Sequence, residues 1–330
     1  MNGKPKLWIS RPVFEDVIAP LHDVFDVQME PVERPIPPAV LVERLADVDA
    51  AIVGLADRIE ASVLAQAPKL RFVANLGVGY NNLDLDALTA AGVGASNTPD
   101  VLNETVADYA WALMLGAARK VNAAERWLRD GQWKSSRFDG WLGADVHGRT
   151  LGILGMGRIG QAIARRAVGF RTKVIYHNRS RLADDVEREC AARYVDKDTL
   201  LAESDHLILV LPFTPANRHA IGAPELARMK PTAILINIAR GGIVDDVALA
   251  HALAQGTIAG AALDVFEGEP ALHPSLLEVD NVLLSPHIAS ASRDTRRGMA
   301  ALAVDNVLAA FGQGPHAGRP PSLLNPGVLA

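Results

Sequence analysis

Short apolar runs alternate with helix-like segments along most of the chain, and a long apolar helix separates two such series. The first series predicts four strands, at residues 7–10, 49–54, 71–76 and 93–96, with helices at 38–45, 60–67 and 84–91. The long helix that follows is predicted over residues 103–120. Because alternating strands and helices are typical of a parallel sheet covered by helices, we expect an α/β domain here.

A second α/β series begins at Thr150. It predicts six strands, at residues 150–154, 172–177, 206–210, 233–238, 260–265 and 282–285. A helix over residues 300–311 is expected to return to the first domain, and the tail 312–330, rich in Pro and Gly, is expected to be irregular. The chain is therefore expected to contain two α/β domains.

A glycine pattern follows the first strand of the second series. Gly155, Gly157 and Gly160 form G-x-G-x-x-G between that strand and a helix predicted at 161–168. The first glycine permits a tight turn, the second lets the backbone approach a pyrophosphate, and the third lets helix and strand pack closely. The predicted cofactor-binding turn comprises Gly155, Met156, Gly157, Arg158, Ile159 and Gly160.

The residues after the next strand indicate which dinucleotide binds. NAD sites usually carry a carboxylate at this point, which binds the 2′-hydroxyl of the ribose. This chain carries Asn178, Arg179, Ser180 and Arg181 instead. Because the planar guanidinium group suits a phosphate, the sequence predicts NADP(H) as the preferred cofactor and NAD(H) as the weaker one. Alternatively, both arginines are ordinary solvated charges beside two nearby aspartates.

Composition excludes several other classes of protein. Of the 330 residues 49% are hydrophobic and 22% charged, with a formal net charge of −5, an ordinary balance for a soluble globular protein. The basic residues are dispersed, so no nucleic-acid partner is expected, and no apolar run approaches the roughly 18 residues of a membrane span. The single cysteine, Cys190, excludes an internal disulfide, which fits a cytoplasmic location. No metal site is predicted.

Candidate catalytic side chains follow three strands of the second series: Arg240, Glu269 and His287. Ligands of open α/β sheets bind beyond the carboxyl ends of the strands. These residue types suit hydride reduction of a 2-keto acid, with the arginine binding the carboxylate, the histidine donating a proton and the glutamate stabilising the imidazolium. Val78 and Gly79, after a strand of the first series, could add backbone N–H donors.

Each of these residues also has a structural interpretation. Arg240 could pair with Asp245 or Asp246, Glu269 could be a surface carboxylate, and His287 could be a turn residue after a proline. Three suitable residue types follow three strands of the same series that contains the glycine turn. This combination favours the catalytic interpretation.

Four motifs resemble the signatures of the D-isomer-specific 2-hydroxyacid dehydrogenases: MGRIG (156–160), NIARGG (237–242), LDVFEGEP (263–270) and PHI (286–288). The resemblance extends from residue 11 to about residue 311. It implies an Arg–Glu–His arrangement on Arg240, Glu269 and His287. It also implies two doubly wound domains: a Rossmann cofactor domain (101–289) inserted in a flavodoxin-like substrate domain (1–100 and 290–330), with a cleft between them.

Within that family, the chain most resembles the NADPH-preferring glyoxylate/hydroxypyruvate reductases and their 2-ketogluconate-reducing relatives. This resemblance implies a small 2-keto acid substrate, a homodimer and a substrate pocket that includes Trp141. Leu55, in the loop after the strand predicted at 49–54, could also shape the substrate pocket. The tryptophan matches one that reaches the partner subunit's active site in the glyoxylate reductases, although the surrounding segment differs in length. Further cofactor contacts are expected from Thr105, Leu211, Pro212, Ile238, Ala239, Asp264, His287 and Ala289.

Two alternatives stay open on the sequence alone. The substrate could be a sugar acid of the 2-ketogluconate type. In a different class, the chain could be a non-enzymatic dinucleotide sensor like the corepressors of this superfamily. The complete Arg–Glu–His set argues against the sensor.

Overall fold

The computed structural model describes residues 3–328. The chain divides into two compact units, residues 1–102 with 291–330 (unit 1) and residues 103–290 (unit 2). Each unit is built on its own sheet, and all the strand pairs of both sheets are parallel.

Unit 1 contains a five-stranded sheet in the order β2-β1-β3-β4-β5, the flavodoxin-like order. Its elements in chain order are β1 (Lys6–Ile9), α1 (Glu15–Val24), β2 (Asp26–Met29), α2 (Pro38–Leu45), β3 (Ala50–Val53), α3 (Ala61–Leu64), β4 (Phe72–Asn75), α4 (Leu85–Ala90) and β5 (Gly94–Ser96). Successive residues of β1 enter different apolar clusters, Leu7 and Ile9 on one face and Trp8 on the other. Both faces of the sheet are therefore covered, as is usual for parallel strands.

Unit 2 contains a seven-stranded sheet in the order β12-β11-β10-β9-β6-β7-β8. Its strands are β6 (Thr150–Leu154), β7 (Lys173–His177), β8 (Ala192–Tyr194), β9 (His206–Leu209), β10 (Ile234–Asn237), β11 (Gly260–Leu263) and β12 (Val282–Leu284). Its helices are α5 (Asn103–Ala118), α6 (Val121–Arg129), α7 (Arg158–Phe170), α8 (Asp184–Glu189), α9 (Lys197–Glu203), α10 (Ala223–Leu226) and α11 (Asp246–Ala254). The six neighbouring strands β8-β7-β6-β9-β10-β11 have the strand order of a Rossmann fold, and β12 adds a seventh strand beside β11.

The long apolar helix α5 belongs to unit 2. Its Trp111 is buried, stacks on Phe170 with ring centroids 4.4 Å apart, and donates a hydrogen bond to the carbonyl of Ile163 (3.1 Å). The last helix, α12 (Arg293–Ala310), belongs to unit 1 and packs its Val304 and Val307 into the cluster that contains α1. This helix begins seven residues before the predicted start at residue 300.

The sequence prediction missed four elements and overextended one. The strands β2 and β8 are short and lie at sheet edges, where half-exposed residues give no apolar run. The helix α1 contains Pro20, and α6 buries none of its residues, so neither shows a clear core-facing stripe. The helix predicted over 60–67 is the single turn α3.

Candidate active site

The three glycines after β6 have three different surroundings. Gly155 has φ of 103°, a conformation that other residues rarely adopt, and a Cβ there would overlap the backbone of Val210. A Cβ on Gly160 would overlap the carbonyl of Gly155, so this glycine lets α7 pack closely against the turn. A Cβ on Gly157 would meet no atom within 4 Å. Gly157 therefore leaves open space at the start of α7, where a pyrophosphate would need to approach the backbone.

The end of β7 meets this turn through Asn178. The side-chain oxygen of Asn178 accepts a hydrogen bond from the N–H of Met156 (2.6 Å), and the N–H of Gly155 donates to the carbonyl of His177 (3.0 Å). Arg179 and Ser180 follow and are exposed. Within residues 3–328, the guanidinium group of Arg179 has no hydrogen-bond or ion-pair partner. A neutral amide and a free cation thus stand where NAD sites carry a carboxylate.

Arg181 is bound differently from Arg179. Its Nε and Nη2 atoms donate to the two carboxylate oxygens of Glu187 (2.9 and 2.7 Å), and the hydroxyl of Tyr176 donates to the same carboxylate (2.6 Å). The hydrogen bonds from Arg181 and Tyr176 lower the pKa of Glu187 to about 2, while burial and Glu187 raise the pKa of Tyr176 to about 12. The structure thus places a charged carboxylate beside Arg181, which the sequence analysis did not foresee.

His287 and Glu269 form a hydrogen-bonded pair beyond the carboxyl ends of β11 and β12. The Nδ1 atom of His287 lies 2.8 Å from Oε2 of Glu269, and Oε1 of the same carboxylate accepts a hydrogen bond from the N–H of Phe266 (2.8 Å). Burial raises the pKa of Glu269, but the hydrogen bond and the charge of His287 outweigh it, so this pKa lies below its ordinary value. The carboxylate is thus charged near neutral pH and fixes the orientation of the imidazole.

The backbone at His287 is held by Asp264. His287 has φ of 53°, in the left-handed region, and its N–H donates to the carbonyl of Asp264 (2.8 Å). The buried carboxylate of Asp264 accepts hydrogen bonds from the N–H groups of Ile288 (2.9 Å) and Ala289 (2.8 Å) and from the hydroxyl of Ser285 (2.7 Å). Asp264 therefore shapes the loop that presents the imidazole.

Arg240 follows β10, the neighbour of β11. It is half-buried, and its Nη1 donates to the carbonyl of Ala239 (2.6 Å). Burial lowers the pKa of Arg240, and the negative charge of Glu269 opposes this shift. Of the two aspartates considered as partners in the sequence, Asp245 caps α11 and Asp246 accepts a hydrogen bond from the N–H of Glu267 (3.0 Å). The structure thus brings the guanidinium group of Arg240, the carboxylate of Glu269 and the imidazole of His287 to the carboxyl edge of the sheet.

The predicted substrate residues of unit 1 follow β3 and β4. Leu55 packs its side chain against Gly77, where a Cβ would lie 3.1 Å from the Cγ atom of the leucine. Val78 and Gly79 are half-buried in the next loop. Among the described residues 3–328, no acceptor binds the N–H groups of Val78 and Gly79. Two successive free N–H groups suit an anion such as a carboxylate.

Trp141 does not lie at the edge of the unit 2 sheet where Arg240, Glu269 and His287 follow the strands. It is 43% exposed, contacts Trp127 edge to face (centroids 5.5 Å apart), and lines a cavity of about 850 Å³ with Ile234, Gly260 and Val282. These last three residues are the first residues of β10, β11 and β12, at the opposite edge of the sheet from Arg240. Within one chain, Trp141 is therefore not beside the His287–Glu269 pair.

The remaining predicted cofactor contacts lie on elements that border the glycine turn or the strand ends. Thr105 is half-buried in the first turn of α5; Leu211 and Pro212 follow β9; Ile238, Ala239 and Ala289 are buried. Within the part of the chain that the structure describes, no group of His, Cys, Asp and Glu could hold a metal ion. Over the same residues, no helix is long and apolar enough to cross a membrane.

A Rossmann-ordered sheet with an open glycine turn and a histidine–carboxylate pair at its carboxyl edge defines a dinucleotide-binding protein of the dehydrogenase class. Comparison with known proteins agrees. The sequence model "D-isomer specific 2-hydroxyacid dehydrogenase, NAD binding domain" matches residues 111–289. A relative from Thermococcus onnurineus, named glyoxylate reductase, is 48% identical over 99% of this chain and 97% of its own length.

Solved structures give the same result. The NADPH-dependent glyoxylate/hydroxypyruvate reductase of Sinorhizobium meliloti, in complex with NADP and malonate, is 36% identical with a TM-score of 0.85, covering 98% of both chains. A glyoxylate reductase from Paecilomyes thermophila is 32% identical with a TM-score of 0.85, covering 98% of this chain and 99% of its own. The chain belongs to the D-isomer-specific 2-hydroxyacid dehydrogenase family. This confirms the predicted family and α/β fold.

Proposed function

We propose that this protein reduces small 2-keto acids, glyoxylate and hydroxypyruvate among them, to D-2-hydroxy acids with NADPH. The observation that carries the proposal is the His287–Glu269 pair, which lies beside Arg240 at the carboxyl edge of the Rossmann sheet. The names of the relatives from Thermococcus onnurineus and Sinorhizobium meliloti support the substrate class. Oxidation of NADPH in the presence of glyoxylate, followed by absorbance, tests the proposal.

The proton donor in this proposal is His287. Glu269 binds Nδ1, which leaves Nε2 as the nitrogen that can donate to the ketone oxygen of the substrate. As negative charge develops on that oxygen, the neighbouring carboxylate stabilises the imidazolium that supplies the proton. Glu269 thus acts through His287, and Asp264 acts by holding the loop that carries it.

Arg240 binds the carboxylate of the substrate in this proposal. A guanidinium group can donate two parallel hydrogen bonds to a carboxylate, so it both anchors and orients the keto acid. The N–H groups of Val78 and Gly79 are proposed as further donors to the carboxylate, and Leu55, packed on Gly77, as a wall that limits substrate size. The proposed substrate domain is therefore unit 1, and the proposed cofactor domain is unit 2.

The residues present fit a dinucleotide. Gly157 leaves room for a pyrophosphate at the start of α7, and Arg179 offers an exposed cation after β7. When bound, the reduced nicotinamide supplies the hydride. Arg179, together with the hydroxyl of Ser180, is proposed to bind the 2′-phosphate, which makes NADPH the preferred cofactor and NADH the weaker one.

Cofactor preference provides a prediction. Arg179→Ala should raise KM for NADPH about tenfold and leave KM for NADH nearly unchanged. Only NADPH carries the 2′-phosphate, and a hydrogen bond to a charged group contributes about 1.5–3 kcal/mol, with exposure favouring the lower figure. Steady-state kinetics with both cofactors measure the effect.

The paired substitution Arg181→Gln with Glu187→Gln is the control for that prediction. It removes one charge of each sign from the neighbouring ion pair, so KM for NADPH should change less than in Arg179→Ala. Equal losses for NADPH and NADH in Arg179→Ala would contradict the assignment of this arginine to the phosphate.

The surface formed by residues 121–142 supports the proposed homodimer. It exposes several large apolar side chains: Val121, Leu128, Trp133, Phe138, Trp141 and Leu142. An apolar surface of this kind commonly marks a protein–protein interface, and a second copy related by twofold symmetry is the commonest partner. In such a dimer Trp141 is proposed to reach the partner's active site. Sedimentation showing a monomer at micromolar concentration would contradict this proposal.

Two other functions have less support. A 2-ketogluconate-type reductase would use the same groups on a larger acid, and the panel of substrates described below separates it from the proposed activity. A dinucleotide-sensing, corepressor-like protein would not need the hydrogen-bonded His287–Glu269 pair, and measurable turnover would exclude it.

A further inference from the structure

The loop of residues 77–80 in unit 1 turns its carbonyl groups into the protein. Three consecutive carbonyls each accept a hydrogen bond within the unit: that of Gly77 from the N–H of Thr98 (3.0 Å), that of Val78 from the side-chain amide of Asn97 (2.7 Å), and that of Gly79 from the side-chain amide of Asn75 (2.8 Å). The donors come from the end of β4 and from the residues just after β5.

The direction of these carbonyls fixes the direction of the next N–H groups. In a planar trans peptide, the C=O and N–H bonds point in opposite directions. Because the carbonyls of Gly77 and Val78 point inward, the N–H groups of Val78 and Gly79 point away from the interior of the unit. No acceptor within residues 3–328 binds them, so they are available to an anion.

The two asparagines that hold the loop are themselves fixed. Asn75 is fully buried, and its side-chain oxygen accepts a hydrogen bond from the amide of Asn82 (3.1 Å). That amide also donates to the carbonyls of Gly54 and Asp57 (3.1 Å each). Asn97 is buried, and its carbonyl accepts a hydrogen bond from the hydroxyl of Ser322 (2.6 Å). Buried amides with satisfied donors have little freedom to rotate.

We propose that Asn75 and Asn97 are positioning residues for the carboxylate of the substrate. Asn97 holds the carbonyl of Val78 inward, and the amide of Asn75 reaches the carbonyl of Gly77 (3.4 Å) as well as that of Gly79. The N–H groups of Val78 and Gly79, which belong to the peptides of the Gly77 and Val78 carbonyls, are thereby aimed at the anion. The proposal rests on the proposed function, since it takes the anion to be the carboxylate of a 2-keto acid. It predicts that these two asparagines affect substrate affinity more than cofactor affinity, because the glycine turn lies in unit 2.

The test uses Asn75→Ser and Asn97→Ser in the full-length enzyme. Serine removes the amide donor and leaves a small polar side chain. Each variant should raise KM for glyoxylate about tenfold, since misplaced donors bind a carboxylate poorly. The dissociation constant for oxamate, measured by calorimetry on the NADPH-bound enzyme, should rise in parallel. KM for NADPH and kcat should stay within about twofold of wild type.

Asn325→Ser is the matched control. Asn325 is also a buried asparagine of unit 1, and its side chain accepts a hydrogen bond from the N–H of Ala95 (2.8 Å) and donates to Val93 (2.9 Å) and Thr89 (3.2 Å). Within the described part of the chain, its side chain makes these three hydrogen bonds and none to residues 77–80. Asn325→Ser should lower the melting temperature like the test variants while leaving KM for glyoxylate unchanged.

The outcomes separate this inference from the proposed function. If wild type reduces glyoxylate but both test variants keep its KM, or if Asn325→Ser raises KM equally, the positioning role is wrong and the proposed function stands. If wild type does not reduce glyoxylate or any other 2-keto acid, the proposed function itself fails. If Asn75→Ser does not fold, Asn97→Ser, at the less buried position, decides alone.

Discussion

We expect His287→Ala to lower kcat for glyoxylate reduction by about 10²–10⁴-fold, the usual contribution of a positioned general acid. The imidazole acts mainly when charge develops on the ketone oxygen, so the dissociation constant for NADPH should change little. Steady-state kinetics and a fluorescence titration with NADPH measure the two effects. A variant that keeps most of its turnover would remove His287 from the mechanism.

Glu269→Gln tests the role of the carboxylate in the His287–Glu269 pair. Glutamine keeps a hydrogen-bond acceptor near Nδ1 of His287 but removes the negative charge. The charge of His287 lowers the pKa of Glu269, and by the same coupling the charge of Glu269 stabilises the imidazolium, which glutamine does not do. The alkaline limb of the kcat profile should therefore move to lower pH, with a smaller loss of kcat at its maximum than in His287→Ala. An unchanged profile would contradict the role of the pair.

The second large effect is expected for Arg240→Lys. Lysine keeps the positive charge but loses the planar fork that matches a carboxylate. One or two charge-assisted hydrogen bonds of about 1.5–3 kcal/mol each should be lost, so kcat/KM for glyoxylate should fall by at least about tenfold, and by about 100-fold or more if both are lost. The dissociation constant for NADPH should stay close to that of wild type.

Arg218→Lys is the matched control for Arg240→Lys. Arg218 also lies in unit 2, and its Nη2 pairs with Glu267 (2.7 Å), two residues before Glu269, yet its side chain is exposed. This substitution should leave kcat/KM nearly unchanged. If Arg240→Lys weakens NADPH binding as much as it lowers kcat/KM, the arginine supports the cofactor or the fold rather than the substrate carboxylate.

The parts of the fold that the sequence predicted are those with local signals. The strand β6, the glycine turn and α7 are continuous in the chain, so one stretch of sequence carries the signals for all three. The strands β2 and β8 gave no such signal, because none of their residues is fully buried and they form no apolar run. A periodic pattern detects a core-facing element and misses one that borders solvent.

Contacts between residues distant in the chain were not predictable in the same way. The positions of Glu269 and His287 at strand ends made their meeting expected, because adjacent parallel strands bring their carboxyl ends together. The hydrogen bond from Asn97 to Val78 joins the ends of two strands through an ordinary polar side chain, which no motif marks.

The two arginines after β7 were recognised in the sequence, but the difference between their surroundings was not. On the sequence alone Arg179 and Arg181 are equivalent, either as phosphate ligands or as solvated charges beside acidic neighbours. The structure separates them, since Arg181 binds Glu187 and also lies 3.6 Å from Asp184, whereas Arg179 extends into solvent. The helix α8 supplies both acidic residues, so the distinction depends on where that helix begins.

The most direct test of the central claim is a comparison of kcat/KM across substrates with NADPH and NADH. The panel consists of glyoxylate, hydroxypyruvate, 2-ketogluconate and hydroxyacetone, which lacks the carboxylate. We predict that glyoxylate and hydroxypyruvate with NADPH give the highest values, that NADH gives lower ones, and that hydroxyacetone is barely reduced. Preference for NADH, equal reduction of hydroxyacetone, or no turnover with any keto acid would contradict the account.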